Sequence, residues 1–137
     1  MISGASISIS GAVCAAMSEH AQAAYPEECC GVLVGGDGSL AAVAMQNVAP
    51  QRARRYLMDG REWLKVEREA GHGAGVVGVY HSHCDGEAVP SEFDVATAWP
   101  VYVYVIVSVM GGRAAGMRAW RLREDGAGFG EIEILCN

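Results

Sequence analysis

No uncharged apolar run in this chain is long enough to cross a bilayer as a helix. The longest, Val101 to Met110, is about half of the roughly 20 residues required. The first segment lacks the basic start and apolar core of a secretory leader, so none is expected. Cysteine pairs of the CxxC type are missing too, and the five cysteines are an odd number. That pattern does not suggest a disulfide framework and points to reduced thiols in a cytoplasm. Positive charge is scarce: 10 Lys and Arg against 16 Asp and Glu give a net charge of −6 and a pI near 5.1. Non-specific nucleic-acid binding is thereby disfavoured, the one basic cluster being Gln51-Arg-Ala-Arg-Arg55. There is no internal repeat, linker or low-complexity tract. What remains is a globular balance of 51% apolar and 19% charged residues over 137 positions. That is enough for one domain, residues 1–137, with a modest core.

Ala5 to Ile9 reads as a first strand, and Ser10 caps a helix to about Ala24 with Val13, Met17, Ala21 and Ala24 on one stripe. His20 lies off that stripe and is expected at the surface. Pro26 stops the helix. Cys29 to Val34 and Leu40 to Met45 form a hairpin about Asp37-Gly38, with Glu28 at its entrance. A short strand is expected over Tyr56 to Met58. Asp59 then caps a second helix to about Ala70, on which Trp63, Val66 and Ala70 share the core face. Gly71-His72-Gly73 ends that helix and leaves His72 exposed. Val76 to Tyr80 and Val101 to Met110 read as buried strands, Met117 to Arg123 and Glu131 to Ile134 as strands with one wet face. The order is mixed α/β: a curved, mostly antiparallel sheet flanked by helices.

The stretch Gly78-Val-Tyr-His81-Ser-His83-Cys-Asp-Gly-Glu-Ala-Val-Pro-Ser91-Glu-Phe-Asp94 carries the chemistry. Side chains at i and i+2 of a strand share a face, so Val77, Val79, His81 and His83 should line up with both imidazoles at the strand's end. Pro90-Ser91 looks like a helix start, with Ser91 at the N-cap and Asp94 at N3. Two imidazoles and a carboxylate on two rigid elements suit a tetrahedral metal, zinc above all, with a fourth position open to water. Spacing alone leaves a second reading open: a hydrogen-bonded histidine pair beside an ordinary capping box.

His-x-His, seven residues, Ser, two residues, Asp is the signature of the JAMM (MPN-plus) metalloprotease family, which this chain resembles through His81, His83, Ser91 and Asp94. It also resembles that family in Pro26-Glu27-Glu28-Cys29-Cys30-Gly31, followed by an apolar run. The resemblance covers most of the chain. One departure is Cys84, where many relatives have proline. The resemblance implies a single MPN domain of cytidine-deaminase-like architecture, with one Zn²⁺ held by His81, His83 and Asp94. Glu28 would be the general base and Ser91 the donor to the developing oxyanion. The implied reaction is hydrolysis of an amide at the C-terminus of a ubiquitin-fold protein, a ubiquitin-like modifier or a sulfur carrier, whose extended tail would add to a sheet edge. No nucleic-acid or membrane partner is expected. Competing readings are a RadC-type protein associated with DNA repair, a non-catalytic MPN scaffold, and a cysteine nucleophile at Cys29, Cys30 or Cys84. The basic cluster reads as a solvated loop or, more specifically, as a patch steering an acidic substrate surface.

Overall fold

Apolar runs and alternating apolar and polar stretches build seven strands, and three capped segments build helices, in a computed structural model that describes residues 5–36 and 38–137. In chain order these are β1 (Ser6–Ile9), α1 (Gly11–Ala24), β2 (Cys30–Gly36), β3 (Ser39–Met45), α2 (Gly60–Ala70), β4 (Gly75–Cys84), α3 (Glu92–Thr97), β5 (Val103–Met110), β6 (Arg113–Leu122) and β7 (Phe129–Cys136). They form one seven-stranded sheet in the order β1-β7-β6-β5-β4-β2-β3. Only β1–β7 and β4–β5 pair in parallel; the other neighbours are antiparallel. The expected α/β architecture is therefore the observed one. Among the described residues no helix is long and apolar enough to cross a membrane.

α1 covers one face. Met17 and Ala21 are fully buried against Ile7, Ile9, Leu33, Tyr80, Val103, Val105 and Val107, and each large apolar side chain so buried contributes about 1.5–3 kcal/mol. Gly31 is needed here because a Cβ would stand 2.2 Å from the ring of Tyr80. The opposite face carries Cys30, Val32, Met45 and Val76, packed against Tyr56, Met58, Trp63, Val66 and Tyr102. The candidate site opens on this second face.

Several expectations change. Cys14 and Cys136 form a disulfide that ties α1 to β7, so the cysteines are not all reduced thiols; a separation of 122 residues put that pairing beyond any spacing rule. His20 is half-buried rather than at the surface, with Nδ1 2.8 Å from the hydroxyl of Tyr80. Val77 packs on the α1 face, away from Val79 and His81. The cause is a β-bulge at Leu33/Val34, which gives β4 one extra residue against β2 and resets its alternation. Tyr56 to Met58 is irregular chain, not a strand. α3 stops at Thr97 instead of Trp99, and β5 begins at Val103 instead of Val101, whereas β6 and β7 are longer than expected. Asp37 of the expected turn lies outside the described residues; Gly38 has φ +80°, as such a turn requires.

Candidate metal centre and active site

β4 is central, paired to β2 at Cys30–His81 and to β5 at His81–Ile106 and His83–Ser108. Two histidines two residues apart on such a strand point the same way. α3 then brings Asp94 back over them. His81 Nε2 and His83 Nε2 are 3.1 Å apart, and Asp94 Oδ2 is 3.3 Å from the first and 3.1 Å from the second. His81 and Asp94 are buried.

This cluster fits a metal ion. With bonds of about 2.0–2.1 Å, a tetrahedral ion needs its ligand atoms about 3.3 Å apart, and the three separations match. His83 Nδ1 lies 2.9 Å from the Glu87 carbonyl. That ring nitrogen therefore carries the proton, and the Nε2 lone pair faces the cluster. His81 is oriented differently: Tyr56 stacks on it at 4.4 Å and 24°, while its Nδ1 is buried without a partner among the described residues. His81, His83 and Asp94 thus make a set that could hold a metal ion.

Electrostatics follow from burial and neighbours. Burial lowers the pKa of His81, outweighing the opposing pull of Asp94. Burial would raise Asp94, yet the adjoining imidazoles of His81 and His83 and a hydrogen bond from the Ser91 amide hold its carboxyl well below the usual range. For His83, burial works downward, and Asp94 and the Glu87 carbonyl overcome it, so its pKa is raised. Glu28 is not the exposed acid that its position between helix and strand suggests; it is buried, which pushes its pKa up to about 7.

Ser91 is both a cap and a candidate donor. Its Oγ accepts from the Asp94 amide at 3.1 Å, and its own amide donates to Asp94 Oδ2 at 2.9 Å. The capping box and the ligand set are one structure, and the serine hydroxyl proton is still free to donate.

The cysteine alternative loses its chemistry. Cys29 and Cys30 are buried, and burial raises the thiol pKa to about 11 at Cys29, about 12 at Cys30 and about 11 at half-buried Cys84. None offers a thiolate near neutrality.

Sequence reading missed the residues that hold the loops. Ser82, fully buried between the histidines, accepts the Cys29 amide at 2.8 Å and so ties the Glu28 segment to β4. A lone serine within an apolar strand was the available signal. In the loop after His83, successive carbonyls are held by Ser108 Oγ (Gly86, 2.5 Å), His83 (Glu87, 2.9 Å) and the Trp120 indole (Ala88, 3.0 Å). Asp85, at φ +56°, accepts from Tyr25 Oη at 2.7 Å and from the Gly111 amide at 2.8 Å.

Beside the ligands lies an apolar groove of about 460 Å³, walled by Tyr56, Met58, Trp63, Phe93, Trp99 and Tyr102. Arg55 places its guanidinium 4.5 Å above the Phe93 ring, and Arg52 pairs with Glu27 at 3.1 Å. The basic cluster is exposed but edges this groove. Trp63, expected as core, is half-buried and serves as both core and wall.

Residues 11–123 match the family model described as prokaryotic homologs of the JAB domain. This chain belongs to that family. It is 39% identical over 117 residues to the CysO-cysteine peptidase of Mycobacterium tuberculosis, covering 82% of this chain and 79% of that protein. Against the desampylase of Haloferax volcanii it is 39% identical over 95 residues, 66% of this chain and 68% of the other. The solution structure of protein DSY2949 from Desulfitobacterium hafniense superposes with a TM-score of 0.77 at 28% identity, covering 95% of this chain and 92% of that one. The JAB member thus carries the three residues that could hold a metal ion on β4 and α3, with Glu28 leading into β2.

Proposed function

We propose that the chain is a zinc-dependent metallopeptidase or isopeptidase that hydrolyses an amide at the C-terminus of a ubiquitin-like or sulfur-carrier protein. The observation that carries this reading is the convergence of His81, His83 and Asp94 in a member of the JAB family whose relatives are named CysO-cysteine peptidase and desampylase. A nitrogen and oxygen donor set at tetrahedral spacing favours Zn²⁺, one per chain. When bound, such an ion lowers the pKa of water to about 7 and polarises a carbonyl.

The chain's own residues supply the rest. Glu28, with a pKa of about 7, takes a proton from the attacking water and delivers it to the leaving amine. Ser91 donates a hydrogen bond from its hydroxyl to the scissile carbonyl oxygen as negative charge develops there. A sheet edge is a poor dock for the tail, because β4 has β2 on one side and β5 on the other through His81. The aromatic groove is the better receptor: it is concave, apolar and next to Asp94 through Phe93. A cytoplasmic location goes with this reading: Cys29, Cys30 and Cys84 are free thiols, while the Cys14–Cys136 disulfide points the other way.

The test is cleavage of a ubiquitin-fold protein whose C-terminal Gly-Gly is extended by a single cysteine, with metal content measured in parallel. Wild type should cleave it and lose activity to a chelator, and His81→Ala should lose metal and activity together. Activity that survives complete removal of metal would overturn the reading.

A further inference from the structure

Glu28 sits at the junction between α1 and β2, outside any regular element, and its main chain is held by one loop. Its amide donates to the Arg52 carbonyl at 2.7 Å, and its carbonyl accepts from Asn47 Nδ2 at 2.9 Å. The same Nδ2 donates to the Arg55 carbonyl at 2.9 Å, while Asn47 Oδ1 accepts from the amides of Ala49 (3.0 Å) and Leu57 (3.2 Å). A carboxamide has two donor hydrogens and two acceptor lone pairs, and all four are used. Residues 48 to 57 are therefore wrapped around this one side chain. The loop it shapes supplies both the Arg52 carbonyl under Glu28 and the Tyr56 ring stacked on His81.

We propose that Asn47 is a positioning residue for catalysis, fixing the main chain that carries the Glu28 carboxyl without touching substrate. The inference rests on the reading of Glu28 as general base and adds a part to it. The Val48 amide also donates to the Leu57 carbonyl at 2.8 Å and Arg52 pairs with Glu27, but among the described residues Asn47 is the side chain that joins the end of β3 to both the Glu28 carbonyl and the far limb of the loop. Its signal in the sequence is an Asx turn, in which the side-chain oxygen accepts the amide two residues on.

The test uses the full chain loaded with zinc and the Gly-Gly-Cys-extended ubiquitin-fold probe. Asn47→Asp keeps the shape and the acceptor but turns the donor to Glu28 and Arg55 into an oxygen facing two carbonyls. The expected result is a loss of about 10–100-fold in kcat, with KM within about twofold and zinc still one per chain. In a Glu28→Gln background, measured at high enzyme concentration, the same change should have almost no further effect, because the group it positions is gone. Asn47→Gln, which displaces the amide by one methylene, should show the same pattern and stands in if the aspartate variant does not fold. Equal losses in both backgrounds, a loss confined to KM, a parallel loss of zinc, or failure of both variants to fold would each overturn the proposal. Undiminished activity of Glu28→Gln itself would instead overturn the general-base assignment.

Discussion

The two faces of the sheet share strands but not physics. The face under α1 is apolar, and its polar contacts are closed pairs: Tyr80 with His20, and Ser82 with the Cys29 amide. It is fastened covalently by Cys14–Cys136. The opposite face buries Glu28, His81 and Asp94 and leaves an open groove edged by exposed Leu57, Trp99 and Val101. One strand serves both. From Val79 onward β4 sends Tyr80 and Ser82 to the first face and His81 and His83 to the second. Rigidity comes from the dry side, while on the other burial works against the charged form of Glu28.

The sharpest way to break that contrast is Glu28→Gln in zinc-loaded protein. It should lower turnover by about 10²–10⁴ while metal content stays at one per chain, whereas a change confined to the α1 face should leave turnover per folded molecule alone. Ser91→Ala comes next, with about 10²–10³ lost from kcat and only about 1 kcal/mol of stability from the missing cap. Thermal melts beside steady-state kinetics separate the two roles, and a stability loss without a kinetic one would leave Ser91 a cap alone.

On the other face, Cys14→Ala should cost about 2–4 kcal/mol by denaturant titration and leave kcat of the folded protein unchanged. A reductant that fails to lower the melting temperature of wild type would contradict the fastening role.

The smallest effect is the most direct test of stability given up for function. Glu28 has a folded pKa of about 7 against an ordinary 4.5. The cost of holding its carboxylate is therefore absent below the lower value, grows between them and is complete above pH 7. In metal-depleted protein, Glu28→Gln should be close to neutral at acid pH and stabilising by up to about 3 kcal/mol at pH 8. A pH-independent difference would show that Glu28 titrates normally.

How much of this was legible depends on range. The helix caps at Ser10, Asp59 and Ser91, the i, i+2 histidines and the Ser-x-x-Asp start all came through, because caps and periodicities are set by backbone geometry within a few residues. The resemblance to a family added Glu28, which local reading would have left as an exposed acid. The bulge that turns Val77 over was hidden, since it exists only in the register between β2 and β4.

By itself, then, the sequence determined which residues are candidates for the chemistry, that the two histidines leave their strand on one side, and that Ser91 and Asp94 meet at a helix start. Folding alone decided that three of their atoms meet within 3.3 Å, that Glu28 is buried, that Asn47 knots the loop beneath it, and that Cys14 finds Cys136. Local sterics fix directions, whereas distances between segments dozens of residues apart are set only when the whole sheet closes and its neighbours pack.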